Sequence, residues 1–438
     1  MKTGIDKKNG SLLDELFRIQ QKYSRKISES MVLNLLHMAN GEMIYLLLFT
    51  LFYLFTYLRT TMVPSYIIGA PIDRTEILFY VLIWAKIILF DIKQKQDFYR
   101  ILLPEIAGFM LIMPVAQHYP GEYIPIFYML VIGARNIDFR KIAAISLILG
   151  AAMISTITVL SCYNIVEDLV WGTFSSPRHA FGFVYCTDYA AHYFFFFCAY
   201  FWLRKGRLRW YDVPVFVAAI AFLYFLCHSR TDCITIGLLL LAGIILNFKS
   251  VSDHLLKARW IYILIFIILT VAAFILSFAI DGYEKGTLLS RLYMARTMIM
   301  RVGLSLFGVS FSETGNGGST LPVDPANYSF IDISYVKIVL KYGVIAAAAI
   351  IAYLTRLMYK RVKKRDTVTL LMMSLIAINC FVAHHLIDFS YNVFILMLFA
   401  DLSYCDDNTH RLSPETARKA KHEKKKQSRS SGSIRQEQ

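Results

Sequence analysis

Apolar residues in this chain gather into runs of about the length a bilayer demands, since a hydrocarbon core of ~30 Å takes about 20 apolar residues per helix. The runs predict spans near 43–62, 76–92, 101–118, 122–134, 140–160, 183–203, 212–228, 232–248, 259–280, 331–355, 367–386 and 389–405. The expected fold class is therefore all-α, a polytopic membrane protein with about 12 transmembrane helices. Ahead of the spans, residues 1–42 carry Leu12, Leu13, Leu16, Phe17 and Ile19 among charged residues, a spacing that fits an amphipathic helix on the membrane surface and equally a solvated leader. Beyond the spans, 406–438 is charged and Ser-rich, with Lys424, Lys425 and Lys426 in a row. That composition buries no core and suits anionic lipid. Three parts result: a leader over 1–42, a transmembrane domain over 43–405 and a disordered basic tail over 406–438.

One stretch breaks the pattern. Between the ninth and tenth runs, 281–330 is long and polar, carrying Glu284, Lys285, Arg291, Arg296, Arg301, Glu313 and Asp324 and a Gly-Asn-Gly-Gly-Ser patch over 315–319. Such a segment belongs outside the hydrocarbon, and loops of this length are commonly functional or disordered. It is expected to roof a site.

Composition supports the membrane class: 57% hydrophobic residues, 18% charged and a mean hydropathy of +0.50 exclude an ordinary soluble domain. A net charge of +15 would point to nucleic acid on a soluble surface. Here the Lys and Arg residues fall between the apolar runs and in the tail, so the expected partner is the lipid bilayer and not nucleic acid. Outside the runs they alternate, with 35 in one set of segments that includes both termini and eight in the other. By the positive-inside rule both termini are cytoplasmic and 281–330 is external. No cleavable signal peptide is visible, so the first run is expected to act as the first anchor. The seven cysteines form no CxxC pair and read as small core residues. No P-loop, GxSxG or HExxH occurs, so no nucleotide, cofactor or metal site is expected. Nor do two halves show matched Gly/Pro-broken helices of the kind found in many transporters.

External arginines are few, and three stand at the mouths of spans or in the long loop: Arg178 in Arg-His-Ala-Phe-Gly-Phe, Arg230 in His-Ser-Arg-Thr-Asp, and Arg291. A guanidinium presents paired donors that match phosphate oxygens, so converging arginines suit a diphosphate at the membrane surface. Each could instead anchor a helix or pair with Asp188 or Asp232. His179 and Ser229 flank these arginines as supporting residues. Asp332, Tyr335, Lys337 and Lys341 open the tenth span; the two lysines share one helix face, with Lys341 either near the midplane facing a polar cavity or snorkelling outward. His384, His385 and Asp388 close the eleventh span, where His384 and Asp388, four apart on a helix, could form an oriented base or a structural helix-end bond.

At these residues the chain resembles Wzy-type bacterial polysaccharide polymerases, within the group that includes O-antigen ligases. The likeness rests on Gly-Ala-Arg-Asn-Ile-Asp-Phe-Arg-Lys-Ile (133–142), Arg-His-Ala-Phe-Gly-Phe (178–183), Ser-Arg-Thr (229–231), Leu-Ser-Arg-Leu (289–292) and Asp-Ile-Ser-Tyr-Val-Lys-Ile-Val-Leu-Lys-Tyr-Gly (332–343), in the family's order. The resemblance implies a GT-C-like fold in a bacterial cytoplasmic membrane. It implies transfer of glycan from an undecaprenyl diphosphate carrier to the next lipid-linked oligosaccharide, with no cofactor and no essential metal, and with chain-length regulator and flippase proteins as candidate partners. It also implies diphosphate binding by Arg178, Arg230 and Arg291, and a base drawn from Asp332, His384 and His385. Two pieces depart from the family. Tyr185-Cys186-Thr187 stands where His-Pro-Asn often follows, and 281–330 lacks the histidine found in the long loop of related ligases. A ligase attaching finished glycan and a flippase or transporter of lipid-linked oligosaccharide are the competing functions. A transporter should carry its ionisable residues along a path through the bilayer, whereas here most sit at the surfaces.

Overall fold

Apolar runs become helices along most of the chain. The computed structural model describes residues 41–63, 77–92, 95–118, 123–173, 175–247, 255–280, 287–311 and 330–406. The expected surface helix of the leader, the basic tail and the Gly315–Ser319 patch lie outside the described residues. In order, the helices are α1 (Gly41–Leu58), α2 (77–86), α3 (Leu103–His118), α4 (Ile124–Gly133), α5 (Phe139–Cys162) and α6 (Cys186–Leu203). They continue with α7 (Asp212–Phe222), α8 (Arg230–Leu246), α9 (Arg259–Ala279), α10 (Leu288–Val302), α11 (Ser334–Lys363) and α12 (Thr367–Asn379). Five of these stretches are long and apolar enough to cross a membrane, and three further apolar helices are shorter. The chain is thus an all-α protein whose long apolar helices mark it as a membrane protein.

Helix α6 shows how sequence and packing meet. Its Tyr-Phe-Phe-Phe-Phe-Cys-Ala-Tyr-Phe-Trp-Leu run is apolar all round, and it is buried between α5 and α8. Phe194, Phe201 and Trp202 are fully enclosed. Five of the seven cysteines are buried and all are free, as expected of small core residues; Cys162 is exposed. Between α5 and α6 a two-stranded hairpin, β1 (Val170–Thr173) with β2 (Ser176–His179), pairs Trp171 with Arg178 and fixes where that arginine stands.

Two expectations fail, for local reasons. The eleventh span ends at Asn379, and the twelfth is not an α-helix: 380–402 runs through turns and two 3-10 segments, His385–Ile387 and Val393–Leu398. Side chains compete here with the helical ladder. Asn392 donates to Leu386 O and accepts from Phe394 N, and the Asp388 carboxylate accepts from Ser390 N. Leu386 through Met397 is nevertheless almost wholly buried, with Phe389 packed among Phe49, Phe52, Tyr53 and Phe127. Irregular backbone is tolerated at membrane depth when protein surrounds it. Its far end is pinned where Asp401 exchanges backbone bonds with Ile137 and Phe139.

The segment expected to be a loop is partly folded. Helix α10 buries Leu292, Ala295 and Met298, and 303–311 returns as a strap against α11. There α11 is broken at Gly343, whose φ of 86° lies outside helical space. Val309 N bonds to Leu340 O, Val344 N to Ser305 O and Ile345 N to Leu306 O, so the strap satisfies groups the break releases. Only glycine fits at the crossing: a Cβ on Gly343 would stand 2.3 Å from Leu306 O, and one on Gly308 would stand 2.1 Å from Lys341 O. A helix interrupted once, late in the chain, is a feature the sequence pattern did not announce.

Candidate functional site

At the hairpin-bearing end of the bundle, the start of α6, the start of α11, helix α10 and the turn after α12 bring charged side chains together. Arg291, on α10, is held at both edges of its guanidinium: Nη1 donates to Val382 O, and Nε lies 3.4 Å from Asp332 Oδ2. Both partners of the ion pair are part-exposed, at 22% and 29%, so the pair keeps an open side. Arg178 reaches in from β2. Its Nε donates to Cys227 O at 3.1 Å and its guanidinium lies 5.9 Å from the Tyr185 ring. Tyr185 in turn stands within electrostatic reach of both Arg178 and Asp332.

Histidines and carboxylates complete the cluster. His385 is buried at 2% exposure; its Nε2 faces Asp188 Oδ1 across 4.0 Å and its Nδ1 has no hydrogen-bond partner among the described residues. His384 packs beside it at 4.1 Å between ring centres and edge-on to Phe330 at 4.9 Å. Lys337 and Lys341 both act electrostatically on His384, as two residues on one helix face should. Asp188 likewise stands in the field of Asp332, Asp388 and Lys337. Lys341 is buried at 3% exposure, so it does not snorkel; it ends the short helical piece before the Gly343 break. The helical His384–Asp388 arrangement does not form, because α12 has already ended. His385 meets Asp188 from α6 instead.

Other candidates take structural places. His179 Nδ1 pairs with Asp168 Oδ2 at 2.7 Å, while Asp168 Oδ1 accepts from Ala180 N and Phe181 N, locking the turn that follows Arg178. Ser229 is buried and donates to Asp232 Oδ2 at 2.6 Å; Asn379 of α12 donates to Asp232 Oδ1 at 2.9 Å, tying α8 to α12. Tyr335 is enclosed, and its hydroxyl donates to Ala377 O, bracing α11 on α12. Arg230 is exposed at the start of α8 and makes no hydrogen bond or ion pair among the described residues. The suggested pairing of arginines with Asp188 or Asp232 is therefore not what forms. Asp168 and Asn379 were missed, because their partners lie elsewhere in the chain and neither stands in a motif. Behind Arg291, the outer face of α10 contributes Tyr293, Arg296, Thr297, Met300 and Arg301 to an open crevice of ≈ 700 Å³ that also touches Phe278.

Comparison with models of protein families, with curated proteins and with solved structures finds no match to this chain.

Proposed function

We propose that this protein polymerises undecaprenyl-diphosphate-linked oligosaccharide repeat units into capsular polysaccharide or exopolysaccharide at the outer face of a bacterial cytoplasmic membrane. A GT-C-like fold of about 12 spans belongs to the same reading. The observation that carries it is the convergence of Arg291, Asp332 and Arg178 at one end of an apolar bundle, where a lipid-borne diphosphate would meet paired guanidinium donors. In the reaction, a hydroxyl oxygen of the acceptor sugar attacks the anomeric carbon of the donor glycan. The bond to the diphosphate oxygen breaks, and undecaprenyl diphosphate leaves with its charge held by Arg178 and Arg291. Asp332, beside Arg291, takes the hydroxyl proton.

The test is gel analysis of glycan from a deletion strain. Accumulation of a single lipid-linked repeat unit supports polymerisation, whereas full-length unattached polymer would identify an O-antigen-ligase-type transferase. The break in α11 at Gly343, with Lys341 buried beside it, is the observation that favours a flippase or transporter. Loss of externally exposed lipid-linked intermediate would establish that function in place of polymerisation.

A further inference from the structure

The donor atoms of Asp188, His384 and His385 all lie within 4.8 Å of one another. We propose that these three residues form a binding site for one divalent transition cation of the Zn²⁺ or Co²⁺ type. The inference departs from the resemblance, which implied no essential metal, and it does not depend on which reaction the protein performs.

Three observations carry it. First, His385 is a buried imidazole with unmet bonding capacity. Its Nδ1 has no partner among the described residues, and its Nε2 meets Asp188 only at 4.0 Å, beyond hydrogen-bond range. Second, that separation suits a shared ion. Metal–nitrogen and metal–oxygen bonds of about 2.0–2.2 Å put tetrahedral ligand atoms roughly 3.4 Å apart, so the donors need to draw in by up to about 1.4 Å. Third, the rings are already held: His385 lies against Tyr391 at 4.0 Å and His384 edge-on to Phe330, which limits the ordering that binding requires.

The donor set decides the class of ion. Two imidazoles and one carboxylate favour Zn²⁺, Co²⁺ or a similar transition ion over Mg²⁺ or Ca²⁺, which take oxygen ligands. The surroundings are mixed in charge. Asp332 and Asp388 add negative field at Asp188, while Lys337 acts on Asp188 and both histidines, Arg291 on both histidines and Lys341 on His384. Three protein ligands leave a further coordination position open, as sites that act on exogenous ligands do.

The experiment uses the full chain in detergent, with any polyhistidine tag removed and metal stripped by chelator, and titrates it with Co²⁺ followed by Zn²⁺. One Co²⁺ per chain is expected, with the d–d absorption of a low-coordinate nitrogen/oxygen site that Zn²⁺ abolishes. Asp188→Asn and His384→Gln should each weaken Co²⁺ affinity tenfold or more, while His228→Gln, at an exposed position, should not. Size exclusion and the thermal midpoint without metal report whether each variant is folded, and Zn²⁺ should raise that midpoint in the wild type far more than in either ligand variant. Absence of stoichiometric Co²⁺ in the wild type, or equal binding by both ligand variants, overturns the site. No glycan lipid is present in this measurement, so its failure leaves the polymerase reading standing, and failure of that reading leaves the metal result intact.

Discussion

Two charge clusters sit in this bundle, one tightly paired and the other loosely. In the one around α2, α3 and α4, every charge has a close partner, although Glu105 Oε2 and Arg135 Nε make no hydrogen bond among the described residues. Lys86 Nζ donates to Asp91 Oδ2 at 2.6 Å, to Gly133 O at 2.8 Å and to Arg135 O at 2.6 Å, while Arg135 Nη2 bonds Glu105 Oε1 at 2.6 Å. All three donor protons of the Lys86 ammonium are used. In the cluster around Arg291, the ion pair is longer and part-exposed, His385 stands 4.0 Å from Asp188, and three carboxylates gather near two histidines. A closed network holds helices together. Pairs held at 3.4 and 4.0 Å, one of them part-exposed, can be drawn onto a ligand at less cost, which is why we place the ligand there.

Substitutions can break that contrast. The largest functional effect is expected at Arg291: Arg291→Ala should abolish long polymer while leaving inserted, folded protein, and Arg291→Lys should rescue little because an ammonium lacks the fork. Wild-type chain lengths in Arg291→Ala would remove the diphosphate role. Lys86→Ala should do the reverse. It strands Asp91 in the interior, at a cost of about 3–5 kcal/mol, seen as a large fall in thermal midpoint, with polymer lost only in proportion to folded protein. A midpoint unchanged by Lys86→Ala would mean that the network is not structural. Gly343→Ala should cost on the order of 1–3 kcal/mol, since a Cβ there meets Leu306 O and the backbone is left-handed. Limited proteolysis should then find the 303–311 strap cleaved faster; equal rates would argue that the strap does not depend on the break. Arg230→Ala should be the mildest, within about 0.5 kcal/mol in stability. Its effect on polymer length should be smaller than that of Arg291→Ala, and an equal loss would place Arg230 in the clamp after all.

The contrast was only half visible in the amino-acid order. Arg178, Arg291, Asp332 and the His384–His385 pair stood out because charge is conspicuous between apolar runs. Lys86 was visible as a charge inside a run, but its partners Asp91 and Gly133 were not. By position Asp188 reads as a counter-ion for arginine, and nothing along the chain joins it to His385, which approaches from the turn after α12. Arg230 resembles its fellows by position along the chain, yet it is exposed and makes no hydrogen bond or ion pair among the described residues.

What the sequence by itself determined is the all-α membrane class and the placement of most helices. Length and apolarity of a run dictate whether a segment belongs in lipid, and both are local properties. The tertiary structure decided where helical order stops. The run from 389 to 405 is as apolar as its neighbours, but Asp388 and Asn392 bind backbone groups, and surrounding helices shelter the irregular chain that results. It likewise decided the break at Gly343, which stands because the strap supplies the hydrogen bonds the helix gives up. Such choices depend on partners distant in sequence, so they are settled only when the chain has folded.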